Sequence, residues 1–399
     1  MYLGLRKLLL TSFVTAIATA SLASYASSAS AATAVSYTKV ASRTLLFVNN
    51  PEQIFNEDLG DATLGDKAIY RETLSAGNYR NFYEHVNRSG STIGYGIQLY
   101  NPTASAITIT VHGSNQEASV QGGRIFTSLF NSYSTTGTTY TLNAGASLWV
   151  MRKDASITNG TFFSGVIDFD TTGQVILSNV AYNSFAALDA SRTYMGYIQR
   201  IETDGTHEAR MYKGSSPYSE VKANNVNFTI NNATPIGALA VEYPNYDLST
   251  SSYGSPIVRN GWIANIGPSP DANAITSDMI DFNMPGWGNI SALSLSDGEG
   301  KYANLGNWGI VYSVSGAITN TGTTARTVSI NLKGHPTQNA FLSYRGSDGV
   351  WRSLQLTPAS NVQYYSMTVP AGSTVNYDAR FILGGPSAGD LQQSITVNN

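Results

Sequence analysis

Apolar and polar residues alternate through residues 307–332, the most regular pattern in the chain. Apolar side chains take nearly every second position from 308 to 318, and the alternation resumes at 328, 330 and 332 after a polar loop. A period of two is typical of strands with one face in a core and the other near water. The loop is rich in Asn, Gly and Thr, which favour turns. The pattern predicts a β-hairpin whose apolar face packs against a second sheet.

A weaker version of this pattern lies in the first half of the chain. Alternating residues flank a loop that begins at Asn101, as they flank the later loop that begins at Asn320. Each copy is followed by an Ala-Gly phrase, which ends at Gly145 in the first half and at Gly372 in the second. Two interpretations remain open: duplication of one sandwich, or convergence of two sandwiches on the same strand–turn–strand phrases.

Short apolar or alternating runs recur to the C-terminus, and no tract has helical periodicity long enough to predict a helix. Residues 125–130 fit either a short helix or a strand. We therefore predict an all-β protein with two antiparallel β-sandwich domains, Ig-like or jelly-roll-like. Small and polar residues near position 190 divide the chain into domains at 35–190 and 191–399. A long excursion that contains prolines is predicted at 268–288.

The first 34 residues have the organisation of a secretory signal. Arg6 and Lys7 precede an apolar stretch, and the small residues that follow fit cleavage after Ala31 or Ala34. The apolar stretch is interrupted, and it is short against the roughly 20 residues of a membrane-spanning helix. We predict a cleaved signal peptide at 1–34. The mature chain is then secreted or displayed at the cell surface, without insertion into a membrane.

The composition narrows the range of partners. Charged residues make up 12% of the 399-residue chain, whereas ordinary soluble proteins have about 25%. The net charge is −3, and the 23 Lys and Arg residues form no cluster. The chain therefore lacks the basic surface that nucleic acid binding requires. It contains no Cys, which excludes disulfides, thiolate metal sites and a lipid-anchored Cys.

Several short phrases recur in a characteristic order. The first half contains Ile93-Gly-Tyr-Gly-Ile-Gln-Leu-Tyr-Asn-Pro102, and the second half contains Gly306-Asn-Trp-Gly-Ile-Val-Tyr312, Asn320-Thr321, Tyr344-Arg-Gly346 and Val369-Pro-Ala-Gly372. In this order and spacing the chain resembles an uncharacterised family of exported bacterial proteins, best represented in cyanobacteria. The resemblance covers most of the mature chain and implies secretion and two β-rich halves. Because the function of that family is unknown, the resemblance implies no catalytic residues.

Candidate metal ligands are sparse. The four histidines have no spacing typical of a metal site. Asp168 and Asp170, with Thr172 and Gly173, resemble the start of a Ca²⁺ loop, but Asn179 stands where such a loop needs a Glu. A β-turn between two strands is the other interpretation of this phrase. We predict no cofactor, with Ca²⁺ at Asp168 and Asp170 as the alternative.

Aromatic residues are concentrated in the second half of the chain. Aromatic planes suit sugar binding, because they offer an apolar face for the ring and tolerate water at one end. Trp287 lies between two glycines in a predicted loop and has no evident place in a core, so it is the leading candidate for contact with a ligand. Tyr243, Tyr246, Tyr253 and Trp262 extend this candidate surface. The alternative is that these tyrosines are strand residues that close over loops.

Three functions compete. The leading hypothesis is a secreted, non-catalytic protein of the cell surface or extracellular matrix that contacts polysaccharide or other envelope components through residues 243–287. The second is a glycoside hydrolase or lyase, although no nucleophile motif is present. That chemistry would need two facing carboxylates, for which the candidates are Asp278, Asp281, Asp297 and Glu299. The third is a self-assembling envelope subunit whose edge strands pair with neighbouring copies.

Overall fold

A computed structural model describes residues 33–34, 38–49, 51–60, 67–119, 123–185, 196–197, 213–238, 241–242, 262–266, 280–281, 303–304, 308–334, 338–385 and 391–398. These residues form many strands, one α-helix and one short 3₁₀ helix. The predicted all-β class is therefore confirmed. Within these ranges, no helix has the length and apolar character needed to cross a membrane.

The strands and helices of the first half are β1 (Thr33–Ala34), β2 (Thr38–Val40), β3 (Thr44–Val48), β4 (Gln53–Ile54), the 3₁₀ helix (Asn56–Asp58), β5 (Lys67–Ala68), β6 (Tyr70–Leu74), β7 (Gly77–Asn87), β8 (Ile93–Tyr100), β9 (Ile107–Glu117), α1 (Gly123–Asn131), β10 (Thr138–Leu142), β11 (Ser147–Ile157), β12 (Phe162–Thr171), β13 (Val175–Tyr182) and β14 (Gly196–Tyr197).

The strands of the second half are β15 (Lys213–Ser216), β16 (Glu220–Ala223), β17 (Phe228–Ile230), β18 (Gly237–Ala238), β19 (Val241–Glu242), β20 (Trp262–Ile266), β21 (Ile280–Asp281), β22 (Ala303–Asn304), β23 (Val311–Asn320), β24 (Arg326–Lys333), β25 (Ala340–Arg345), β26 (Trp351–Leu356), β27 (Asn361–Val369), β28 (Thr374–Gly384) and β29 (Leu391–Asn398).

Four sheets pack as two sandwiches. Sheet 1 has seven strands, in the order β10-β9-β12-β7-β3-β15 with β4 also on β7, and it faces the four-stranded sheet 2, β11-β8-β13-β6. Sheet 3 has seven strands, in the order β2-β16-β23-β28-β25-β26 with β17 also on β23. It faces the five-stranded sheet 4, β18-β29-β24-β27 with β20 also on β29. Most pairs are antiparallel, but β3 and β4 run parallel to β7, and β16 and β17 run parallel to β23.

The hairpin predicted from the alternation at residues 307–332 is wrong. Strands β23 and β24 do not pair with each other: β23 pairs with β28 in sheet 3, while β24 pairs with β27 and β29 in sheet 4. The same holds for β8 and β9, and for β12 and β13. In each case both strands turn their apolar faces toward one core, so the loop carries the chain across the core to the facing sheet. Alternation identifies the buried face of a strand but not its hydrogen-bonded neighbour.

A buried asparagine holds each of the two matching loops. The Asn320 side-chain amide donates to the carbonyl of Thr324 at 2.8 Å and to that of Val369 at 3.0 Å, while its oxygen accepts from the N–H of Gly322 at 3.0 Å. Asn101 makes the same three bonds, with Ser105 at 2.8 Å, Leu142 at 2.9 Å and Thr103 at 2.9 Å. The distant acceptors, Leu142 and Val369, are the last residues of β10 and β27. Each of these strands is followed by a turn that contains Ala-Gly.

The two sandwiches also share their strand pairing. In the first, β8 pairs with β11, and β9 pairs with β10 and β12. In the second, β23 pairs with β28, and β24 pairs with β27 and β29. The repeated sequence phrases therefore occupy equivalent places in equivalent topologies. This agreement extends to hydrogen bonds as well as strand order, and it favours the duplication interpretation over convergence.

Two crossing segments connect the sandwiches. Strand β2 belongs to sheet 3 while β3, four residues later, belongs to sheet 1; β15 belongs to sheet 1 while β16 belongs to sheet 3. The segments meet where the Ser42 and Ser219 hydroxyls lie 2.8 Å apart, and the N–H of Arg43 donates to the Ser219 hydroxyl at 3.1 Å. The predicted domain boundary near residue 190 falls outside the described residues.

Residues 125–130, which fitted a helix or a strand, belong to helix α1. Ile125, Phe126 and Leu129 are buried and lie on one side of the helix, because residues three and four apart share a face. The helix contacts β9 and β12 of sheet 1 and β25, β26 and β28 of sheet 3. It therefore fills the space between the two sandwiches.

Candidate functional site

The junction between the sandwiches has a continuous apolar core. Leu45, Phe47 and Phe82, on the face of sheet 1 that points away from sheet 2, join the buried side chains of α1 and of the second sandwich in one cluster. The Phe47 and Phe82 rings stack with centroids 5.0 Å apart, and Phe82 lies 5.0 Å from Phe126 of the helix. Because sheet 1 is covered on both faces, β7 and β12 are buried along most of their length.

Hydrogen bonds attach the end of α1 to sheet 3. The Asn131 side chain donates to the carbonyl of Trp351 at 2.8 Å and accepts from its N–H at 3.0 Å. This side chain therefore takes the place of a neighbouring strand on β26. The Phe130 ring stacks on the Trp351 ring with centroids 4.2 Å apart, and the hydroxyls of Thr127 and Ser343 lie 2.7 Å apart.

The start of α1 approaches β25 closely enough to require a glycine. A Cβ atom at Gly123 would lie 2.7 Å from the carbonyl carbon of Leu342, which is shorter than real Cβ contacts allow. A shallow pocket opens beside this contact, lined by Gly123, Arg124, Phe341, Ser353, Leu354 and Gln355. It has one basic residue and no acid, so it offers no acid–base pair.

A charged network crosses the first-sandwich side of the junction. Arg80 donates through Nε and Nη2 to the two carboxylate oxygens of Asp168, at 2.8 Å each, and both residues are buried. The Arg43 guanidinium lies 3.5 Å from Asp168 and 2.8 Å from Asp170. The Arg80 guanidinium also lies over the Phe130 ring, 5.0 Å from its centroid. The network thus links sheet 1 to α1 and to the segment that enters from sheet 3.

His112 extends this network to the loop that follows α1. Its Nε2 lies 2.7 Å from a carboxylate oxygen of Asp170, and its Nδ1 lies 2.8 Å from the carbonyl of Ser134. Both partners accept hydrogen bonds, so His112 joins the Asp170 carboxylate to the loop that follows α1. The Tyr133 ring stacks on the imidazole, 5.5 Å away, and its hydroxyl accepts from Arg43 at 2.7 Å.

Glu84 is a second buried charge-bearing group at the junction. Glu84 is 3% exposed, its Oε1 accepts from the Asn49 amide at 3.2 Å, and the backbone of Gly385, the residue after β28, lies beside the carboxyl group. Burial raises the pKa of Glu84 from 4.5 to about 8, the nearby Glu52 adds to the shift, and the backbone of Gly385 offsets only part of it. Near neutral pH the carboxyl group is therefore mostly protonated.

A third polar group lies inside the first sandwich. The Nδ1 of His85 donates to the carbonyl of Pro51 at 2.7 Å, and its Nε2 lies 3.1 Å from the Tyr95 hydroxyl. Burial raises the pKa of Tyr95 and of the neighbouring Tyr83 well above the usual range. His85, Tyr83 and Tyr95 are fully buried, so a substrate has no access to them.

The predicted ligand-binding aromatics cannot be placed around a site. Trp287, Tyr243, Tyr246 and Tyr253 lie outside the described residues, and of Trp262 only the backbone, in β20, is described. The acids proposed for hydrolysis cannot be placed either. Asp278, Asp297 and Glu299 lie outside the described residues, and of Asp281 only the backbone, in β21, is described.

Asp168 and Asp170 lie within strand β12, and only Thr172 and Gly173 of their phrase lie in the short connection from β12 to β13. In the sheet, Asp168 pairs with Arg80 of β7 and Gly113 of β9, and Asp170 pairs with Asn78 of β7 and Thr110 of β9. Arg43 and Arg80 lie beside the two carboxylates, and a Ca²⁺ ion would have to displace them. Among the described residues, no group of three or more His, Cys, Asp or Glu could hold a metal. Calcium at this position stays a prediction.

An aromatic cluster on the outer face of sheet 2 escaped the sequence analysis. The rings of Trp149 and Phe185 meet edge to face at 5.5 Å, Tyr182 packs against both, and the guanidinium of Arg152 lies 3.7 Å from the centroid of the Phe185 ring. The Tyr182 hydroxyl donates to Asp154 at 2.6 Å. Tyr182 is fully buried and Trp149 and Phe185 are partly buried, so much of each ring contacts the other rings of the cluster.

Comparison with known proteins adds little. No protein-family model matches the chain and no curated protein is similar to it, so the resemblance to an exported family stays a prediction. Lac15 from a marine microbial metagenome is 8% identical over 79% of this chain, with a TM-score of 0.11. The chain spans about half of Lac15, 54% of its length.

Other solved structures are equally distant. The PBSX exported protein XepA is 9% identical, with 82% of this chain and 86% of XepA covered and a TM-score of 0.13. Oxalate decarboxylase from Bacillus subtilis is 8% identical, with 84% of this chain and 72% of the enzyme covered and a TM-score of 0.11. At these TM-scores the similarities bear on neither fold nor function.

Proposed function

We propose that the protein is an exported, non-catalytic structural component of the cell surface or extracellular matrix. The observation that supports this most is the junction, where one apolar cluster and one ionic network join both sandwiches through α1. The charged side chains of the network pair with one another, and Arg80 and Asp168 at its centre are buried. They stabilise the contact between layers, which suits a protein whose task depends on shape and surface.

Fractionation of cells that express the full chain with a C-terminal tag tests this proposal. We expect the tagged protein in the medium or on the surface, where added protease digests it, with an N-terminus that begins just after Ala31 or Ala34. A protein that stays inside the cell with its first 30 or so residues intact would rule out the exported role.

Contact with polysaccharide through residues 243–287 is the finer part of the proposal. Trp287→Ala should abolish the retardation of the purified chain in gels that contain envelope or matrix polysaccharide, because it removes the aromatic plane that a sugar ring would stack on. Val350→Ala is the matched control, since Val350 is 45% exposed on a loop before β26 and far along the chain from this segment. Equal mobility of the wild-type chain with and without glycans would remove polysaccharide from the proposal.

A further inference from the structure

The edges of the four sheets differ in how they are protected. An exposed edge strand offers unpaired N–H and C=O groups, and proteins protect such edges with charges, bulges, short length or cover. Strand β11 carries Arg152, Lys153 and Asp154 and has two register shifts. Strand β26 carries Arg352 and is covered by the Asn131 side chain.

The remaining edges of sheets 1–4 are protected in the same ways. Strand β27 is uncharged but has a register shift opposite Ile330 and Asn331, and β20 has one after Trp262. Strand β6 contains Arg71 and Glu72. Strands β2, β15 and β18 have four residues or fewer.

Among the edge strands of sheets 1–4 that the structure describes, β10 stands apart. It has no charge, no register shift and no covering side chain, and it is longer than four residues. Its sequence, Thr-Thr-Tyr-Thr-Leu, is uncharged and rich in β-branched residues, and four of its five residues are exposed. It pairs with β9 in unbroken register from Thr138 to Leu142. No Asp, Glu, Lys or Arg occurs anywhere between residues 125 and 151. Such a strand is an open template for further pairing.

The exposed ring of Tyr140, at the centre of β10, indicates which kind of strand could pair with this edge. It lies opposite Ile109 and on the same face as Leu142, both of which belong to the core of the first sandwich. Tyr140 nevertheless remains 40% exposed. An added strand that carries an aromatic residue at this level would extend the core and bury the ring, because directly opposite residues share a face.

We propose that β10 pairs antiparallel with β10 of a second copy, around a two-fold axis at Tyr140. The two Tyr140 rings then face each other, and Thr139 lies opposite Thr141 of the second copy. An identical neutral strand brings no like charge against itself, so the edge is complementary to its own copy. Sheet 1 becomes continuous across the dimer. The biological use of this contact rests on the proposed surface or matrix function, whereas the contact itself does not.

Sedimentation velocity of the purified mature chain over a concentration series tests the pairing. The wild-type chain should form dimers as concentration rises. Thr139→Lys with Thr141→Lys should abolish the dimer, because lysines would then oppose each other, and Thr139→Glu with Thr141→Glu should do the same. An equimolar mixture of the two variants should restore it, since each Lys then faces a Glu. Circular dichroism checks that each variant remains folded.

Ser353→Lys with Gln355→Lys is the matched control, because these exposed residues lie on β26, the outer strand of sheet 3. This variant should form dimers at the same concentrations as the wild-type chain. Three results would overturn the proposal: a wild-type chain that stays monomeric to its solubility limit, a dimer that survives both charged β10 variants, or a mixture that stays monomeric. None of these three results would change where the fractionation experiment finds the protein. The dimer proposal can therefore be wrong while the proposed export is right, and the reverse.

Discussion

Arg80→Met should lower the free energy of unfolding by about 3–5 kcal/mol, because it leaves a buried carboxylate without its main partner. Asp168 is fully buried, and Arg80 donates to both of its oxygens at 2.8 Å. The remaining cation, Arg43, lies 3.5 Å away and also serves Asp170. Denaturant unfolding of the purified mature chain, followed by tryptophan fluorescence, measures the loss.

Two further variants separate the buried charge from the lost side-chain volume. Arg80→Met combined with Asp168→Leu should be less destabilised than Arg80→Met alone, because it removes the unpaired carboxylate as well. Asp348→Asn breaks the exposed pair with Arg352, whose atoms lie 2.6 Å apart, and should leave stability unchanged within error, since water screens such pairs. If Arg80→Met were as stable as the wild type, the described network would not hold the junction together.

Stability of the wild-type chain should fall as the pH rises from about 6 to 9, and Glu84→Gln should remove most of that fall. The pKa of Glu84 is about 8 in the folded chain because the carboxyl group is buried, against 4.5 for an ordinary Glu. Between these two values the folded state keeps a proton that the unfolded state has released. Each rise in pH therefore favours unfolding, and the stabilisation present below 4.5 is lost once the pH passes 8.

The expected difference is roughly 2.5 kcal/mol between pH 6 and 9, because a pKa difference of one corresponds to about 1.36 kcal/mol and the folded-state pKa of about 8 ends the fall. Thermal unfolding of both proteins at pH 6 and pH 9 measures it. Gln keeps the shape of the neutral carboxyl group and can still bond the Asn49 amide, so the variant should unfold at nearly the same temperature at both pH values. Groups other than Glu84 are the same in both proteins, so the comparison isolates the Glu84 carboxyl group. A parallel fall in the two proteins would mean that Glu84 is ionised at the junction.

The fold could be predicted from the sequence at the level of strands and buried faces. The alternating residues from 311 to 318 and from 328 to 332 do lie in strands β23 and β24, whereas Trp308 packs against the core from the turn that precedes β23. The pairing of those strands was not predictable, because a period of two gives the same pattern for a hairpin and for two strands that face each other across a core. Helix α1 was equally ambiguous at 125–130, where apolar residues fit both periods.

The junction could not be assembled from the sequence, because its partners are far apart in the chain. Arg80 and Asp168 are 88 positions apart, and Asn131 and Trp351 are 220 apart. One signal was nevertheless present. In a chain with only 12% charged residues, Arg80, Glu84 and Asp168 stand inside apolar strand runs. Charged residues there need buried partners, and they mark where a second layer covers the sheet.

Scanning calorimetry of the mature wild-type chain tests the central claim, that the two sandwiches are joined through α1 into one cooperative structure. The account predicts a single endotherm in which the calorimetric enthalpy equals the van't Hoff enthalpy. Two separate endotherms, with Arg80→Met shifting only one of them, would show that the sandwiches unfold independently and would contradict it.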